Sequence, residues 1–166
     1  MKKTLFFFSI LGLIFITTSF SSYGQKADFS GNWAIDRSKI ATTDNQLILV
    51  KINIKTKGDS LLTVRVYETS DGQQYPFNEN VSLDGKENKT IIYDMPRKAK
   101  ANWSAQNGSL IFESTTTFSG DSGTADLVTK ETWKLDPSKN GLSIESKNTL
   151  PQGETTGTFF FKRVTN

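Results

Sequence analysis

The chain has 166 residues, with 20 Lys and Arg against 17 Asp and Glu, and it contains neither histidine nor cysteine. The absence of cysteine excludes disulfides, thiol catalysis and soft-metal sites. The absence of histidine removes the commonest general base and the commonest zinc ligand. We therefore predict no metal site and no cofactor, and we expect a protein that is not an enzyme.

The N-terminus is predicted to be a secretory signal peptide. Lys2 and Lys3 precede an apolar run at residues 5–16, and small and polar residues follow up to residue 24. The run is too short to span a bilayer comfortably, so an uncleaved membrane anchor is the weaker alternative. Ser22 and Gly24 suit the positions before a cleavage site. We predict a signal peptide at residues 1–24 and a periplasmic or secreted protein with no membrane span after cleavage.

The remaining chain, residues 25–166, is nearly neutral. Without Lys2 and Lys3 the basic count falls from 20 to 18 against 17 acids, which gives a net charge of about +1. Such a balance offers no electrostatic case for nucleic acid. The densest basic stretch, residues 97–100, is interpreted as a solvated strand edge or turn. We expect a single domain and a monomer.

Turn signals recur every ten to fifteen residues and divide this domain into strands. Asp-Gly and Asn-Gly pairs, which readily adopt the positive φ angles of tight hairpins, occur at residues 71–72, 84–85, 107–108 and 140–141. The predicted strands cover residues 29–36, 47–56, 60–69, 75–83, 90–95, 98–105, 109–118, 125–135, 141–150 and 156–164. Residues 37–46 could form at most a turn or two of helix.

Alternating apolar residues indicate which side chains face the core. In the second strand Ile52 and Ile54 share one face, and after the turn at Gly58 the apolar positions Leu62 and Val64 repeat this pattern. A meander of so many strands must close or fold over, because an open twisted sheet exposes its edges. The sequence therefore predicts an all-β fold, an antiparallel up-and-down β-barrel of about eight to ten strands, with a two-sheet sandwich as the alternative.

Carboxylate chemistry is the main catalytic option that the composition leaves open. Glu131 and Glu145 both lie in predicted strands, and two facing carboxylates could act as acid and base on a sugar. Pairing of these carboxylates with the many lysines is the preferred interpretation. A carboxylate-dependent enzyme is the least favoured of the functions considered.

The segment Phe29-Ser30-Gly31-Asn32-Trp33 resembles the first strand of the calycin group, which comprises lipocalins, fatty-acid-binding proteins and avidins. It also resembles the opening of many lipocalin-like secreted bacterial proteins that start with Phe-Ser-Gly-x-Trp. The resemblance implies that Gly31 lets the chain pass beneath the barrel floor and that Trp33 plugs that end. It also implies that Arg163, on the last strand, packs over Trp33 or instead meets a ligand carboxylate.

The predicted barrel and the resemblance to the calycin group together favour an exported protein that binds a small apolar or amphipathic ligand. The candidate ligand-binding residues are Arg163, Trp103, Trp133, Phe112, Val64 and Ile52. The alternative is a structural or interaction module with a filled interior, which would bind protein or glycan through rim aromatics such as Tyr75 and Phe77.

Overall fold

Ten antiparallel strands form one sheet in the computed structural model, which describes residues 26–40, 47–120 and 123–165. The predicted signal peptide at residues 1–24 lies outside the described residues. The strands are β1 (Gly31–Ile35), β2 (Ile48–Lys57), β3 (Ser60–Glu68), β4 (Gln74–Ser82), β5 (Asn88–Ile92), β6 (Met95–Trp103), β7 (Leu110–Gly120), β8 (Gly123–Leu135), β9 (Gly141–Leu150) and β10 (Gly153–Val164). In the described residues no helix is long and apolar enough to cross a membrane.

The sheet curls into a nearly closed up-and-down barrel, in the order β4-β3-β2-β1-β10-β9-β8-β7-β6-β5. All ten strands belong to this sheet, so the predicted barrel is confirmed and the sandwich alternative is wrong. Only a 3-10 turn, Arg37–Lys39, interrupts the described strands after β1, while residues 41–46 lie outside the described part. Eight of the ten strands thus have a ladder neighbour on both sides, and the remaining two, β4 and β5, form the two edges of a seam.

The seam between β4 and β5 is the place where the ladder does not close. At one end an isolated bridge joins Asp84, which follows β4, to Asn102 on β6, beyond the short strand β5. Towards the other end the Tyr93 hydroxyl donates to the Pro76 carbonyl at 2.6 Å. Side chains therefore hold together the part of the seam where backbone pairing stops.

The sequence analysis did not predict the hairpin between β5 and β6. Tyr93 and Asp94 join β5 to β6 with positive φ angles of 48° and 63°, whereas the predicted strand at residues 90–95 runs straight through them. Hairpin turns with two positive φ angles usually contain Gly, Asn or Asp; Asp94 fits this preference, but Tyr93 does not. The hydrogen bond from Tyr93 to Pro76 stabilises this uncommon turn.

One end of the barrel is plugged by Trp33, as the calycin resemblance implies. The Trp33 ring is buried, and its Nε1 donates to the Phe29 carbonyl at 2.9 Å. Arg163 pairs with Trp33 across β1 and β10, and its guanidinium carbon lies 4.3 Å from the ring centre. Gly31, at φ +137°, leaves the space for this guanidinium, since a Cβ there would overlap its Nη1. The predicted packing of Arg163 over Trp33 is confirmed.

Arg163→Ala is expected to destabilise the barrel by about 1–3 kcal/mol. The substitution removes the cation–π contact and the hydrogen bonds that Arg163 donates to the carbonyls of Ser30 and Lys139. Urea denaturation measures the free energy of unfolding. Lys134→Ala is the control, because Lys134 on β8 forms an ion pair with Glu145 in which both side chains are largely exposed, and such a pair is worth less than about 1 kcal/mol. Equal losses in both variants would show that Arg163 does not hold the plug.

Candidate functional site

The interior of the barrel is filled in one half and hollow in the other. The filled half extends from the Trp33 plug through buried side chains such as Leu61, Val81, Leu110 and Phe161. The hollow half is a cavity of about 710 Å³. It opens at the end formed by the β3–β4, β5–β6 and β9–β10 turns, opposite the Trp33 plug.

The cavity walls are mainly aromatic and aliphatic. Tyr67 and Phe77 stack with ring centres 5.8 Å apart, and Tyr75 meets Tyr93 edge to face at 6.2 Å. The first three line the cavity because alternate residues of β3 and β4 point inward, and Tyr93 reaches it from the turn between β5 and β6. The remaining apolar wall residues are Leu47, Leu49, Ile92, Met95, Phe118, Leu127 and Phe159.

The floor of the cavity is a layer of buried charge. Arg65 is fully buried and donates from Nη1 and Nη2 to the two carboxylate oxygens of Glu131, at 2.8 and 3.0 Å. Glu131 also accepts from Trp133 Nε1 at 2.7 Å. The Arg65 guanidinium lies over the Phe112 and Trp133 rings, 4.6 and 5.2 Å from their centres. Arg65 thus joins the aromatic core on one side to the polar floor on the other.

A second ion pair completes this floor. Arg97 on β6 donates from Nε and Nη2 to the Glu79 carboxylate on β4, at 2.7 and 3.2 Å. Its Nη1 donates to the Thr116 hydroxyl at 2.8 Å. Glu79 also lies 3.9 Å from Arg65 Nε, so the two pairs form one network. We call Arg65, Glu79, Arg97 and Glu131 the charged quartet.

The quartet sets the protonation of the groups around the cavity. Burial opposes ionisation of Glu131, but the charge and hydrogen bonds of Arg65 outweigh it and hold the pKa of Glu131 below its usual range. Burial raises the pKa of the Tyr67 phenol. At neutral pH the floor therefore contains an ionised Glu131 beside a neutral Tyr67.

None of the six residues predicted to bind ligand lines the cavity. Ile52, Phe112 and Trp133 lie in the filled core, and Trp103 packs against that core, its ring stacked on Phe29. Arg163 lies at the plugged end. Their assignment as ligand contacts stays a prediction. The residues that line the cavity lie nearer the end of the barrel opposite Trp33.

The predicted inward orientation of Val64 is wrong. Val64 is 38% exposed, while Leu61, Thr63 and Arg65 are the buried residues of β3. The hairpin register explains this, because Ile52 pairs with Arg65 and Ile54 pairs with Thr63. Directly opposed residues in antiparallel strands share a face, so the inward isoleucines of β2 bring Arg65 into the barrel.

The expectation for the basic stretch at residues 97–100 is corrected for Arg97, whereas the preferred pairing of the strand carboxylates with lysines is confirmed for Glu145 and wrong for Glu131, which pairs with Arg65. Arg97 was expected at a solvated edge or turn with its basic neighbours, but its side chain points inward to Glu79, while Lys98 and Lys100 are exposed. Glu131 and Glu145 do not face each other, because Glu145 points outward and pairs with Lys134 at 2.8 Å. The described residues contain no group of three or more acidic side chains placed to hold a metal ion.

Comparisons with protein-family models, curated proteins and solved structures found no match to this chain. The function is therefore argued from the geometry and charge of the cavity alone.

Arg65→Met is expected to destabilise the protein by about 3–5 kcal/mol, because it leaves the Glu131 carboxylate buried without its partner. The double variant Arg65→Met/Glu131→Gln should lose at least about 1 kcal/mol less than the sum of the single variants. Chemical denaturation gives the free energies of unfolding of the wild type, the two single variants and the double variant. Lys134→Met, Glu145→Gln and their double variant serve as the control. Because this pair is exposed, the double variant should cost less than about 1 kcal/mol. Additive effects at Arg65 and Glu131 would contradict the described pairing.

Acid should remove the stabilisation that Glu131 provides. The folded pKa of Glu131 lies below its ordinary value of 4.5, so its contribution is complete above that value and is lost as the pH falls through the folded pKa. We expect the difference in unfolding free energy between the wild type and Glu131→Gln to be constant from about pH 8 to about pH 5 and to shrink below that. Denaturation curves across this range measure it. A difference that grows on acidification would mean that the folded pKa is raised instead.

Proposed function

We propose that this chain is an exported binding protein that holds a small amphipathic molecule in the cavity at the open end of its barrel. The observation that carries the proposal is the hollow half of the barrel, with aromatic walls above the charged quartet. Its volume of about 710 Å³ falls within the range of about 300–1,000 Å³ typical of small-molecule sites. Export is inferred from the N-terminal sequence pattern alone.

Apolar walls and a polar floor favour a ligand with two chemically different ends. An apolar body would pack against Phe77, Phe118 and Phe159, while a polar head would reach Arg97 and Glu131 at the floor. Burial of apolar surface supplies most of the affinity in such sites, and a few polar groups fix the orientation. This arrangement favours ligand binding over the alternative of a packed module, since a filled interior describes only the plugged half.

The lowered pKa and the ion pair of Glu131 also favour ligand binding over catalysis. A general acid acts near neutral pH when its pKa is raised, but the pKa of Glu131 is lowered. Glu131 and Glu79 each form two hydrogen bonds with one guanidinium. Ion pairs of this kind hold both carboxylates in place, and the pair with Arg65 keeps Glu131 ionised.

Leu127→Trp is expected to weaken binding by about tenfold or more, because the larger side chain occupies the cavity that the ligand needs. N-phenylnaphthylamine, an uncharged probe whose fluorescence rises in apolar sites, reports the affinity. Val128→Trp is the matched control, because Val128 follows on the same strand but is 45% exposed on the outer surface. The proposal fails if the probe does not bind the wild type, or if both variants bind it equally well.

A further inference from the structure

We infer that the ligand is uncharged: an amphiphile whose head is a hydroxyl or carbonyl group placed on the floor of the cavity, and neither a carboxylate nor an ammonium. The inference rests on the proposed function and adds the chemical class of the ligand. It follows from the balance of charge in the quartet.

Two guanidinium groups and two carboxylates make up the quartet, so the floor has no net charge. Each guanidinium already binds one carboxylate through two hydrogen bonds. Of the quartet, Arg97 and Glu131 line the cavity. A ligand therefore meets one cation and one anion that are both neutralised by groups beneath them.

An anionic head would disturb this balance. It would share Arg97 with Glu79 and lie near Glu131, which leaves one negative charge in excess at a site shielded from water. An unpaired ion at a buried site is strongly unfavourable even after relaxation of the protein. An ammonium head would lie near the positively charged Arg97 and leave one positive charge in excess at the same site. Neither ion finds an unpaired opposite charge in the quartet.

An uncharged head finds suitable partners in the same place. The Arg97 guanidinium has five N–H groups and uses three of them for Glu79 and Thr116, so donors remain for a hydroxyl or carbonyl oxygen. Glu131, with Ser146 and Asn148 on the neighbouring strand, provides acceptors on the other side of the floor. A hydroxyl can bind both sides, since it donates and accepts.

Displacement of N-phenylnaphthylamine by dodecanol, methyl dodecanoate, dodecanoate and dodecylamine at neutral pH tests the inference on the wild-type protein. The four molecules share a chain and differ in the charge of the head. We expect dodecanol and the methyl ester to bind at least about tenfold more tightly than either ion, which corresponds to about 1.4 kcal/mol. Dodecanoate or dodecylamine binding as tightly as dodecanol would overturn the inference and leave the proposed function standing. Failure of the probe itself to bind would instead contradict the proposed function.

Glu79→Gln provides a test in which the selectivity should change. The amide keeps the shape of the side chain but leaves the floor with one positive charge in excess, so the affinity for dodecanoate should rise by about tenfold while that for dodecanol changes little. Glu113→Gln is the matched control, because Glu113 lies on the outer surface between Lys100 and Lys130. Circular dichroism verifies that both variants fold. A folded Glu79→Gln protein with unchanged selectivity would overturn the inference. If Glu79→Gln does not fold, the displacement experiment with the four compounds on the wild-type protein decides the question.

Discussion

The fully buried guanidinium of Arg65 is the constraint on which the rest of this barrel depends. A charge at this depth must be paired, and its partner Glu131 lies on β8, across the barrel from β3. Glu79 approaches the same guanidinium and binds Arg97, whose strand lies beyond the seam from β4. The charged quartet therefore connects, through its two ion pairs, strands that share no backbone ladder: β3 with β8, and β4 with β6. It provides cross-links where the sheet has none, at the seam and through the interior.

The quartet also explains why half of the barrel is filled and half is hollow. Arg65 packs one face of its guanidinium against Phe112 and Trp133, which belong to the filled core. The hydrogen-bonding edge of Arg65 is occupied by Glu131, which faces the cavity. Apolar side chains cannot pack against such a layer without leaving its polar atoms unpaired. The core ends at the quartet, and the space above it is free for a molecule with its own polar group.

The sequence predicted the parts of this structure that depend on local pattern. Turn residues located most hairpins, and the Gly31–Trp33–Arg163 arrangement followed from residues at the two ends of the chain. The orientation of β3 was mispredicted because Leu62 and Val64 are more apolar than Thr63 and Arg65. The hairpin register contained the missing signal: a two-residue turn at Gly58 and Asp59 places Arg65 opposite Ile52. The partners of Arg65 could not be predicted in this way, because Glu131 lies 66 residues away and no local pattern reports such a contact.

A balanced floor has a consequence for a binding protein in its empty state. A floor with one unpaired arginine would be stabilised by an anionic ligand and destabilised by its loss, so folding and binding would be strongly coupled. Here each charge of the quartet has its counter-ion within the protein, and release of an uncharged ligand exposes no unpaired ion. Under the proposed function, affinity would then depend on the apolar surface that the ligand buries against the cavity walls, at roughly 25 cal/mol per Å². The same ion pairs that stabilise the empty barrel are thus the feature by which it would discriminate against charged molecules.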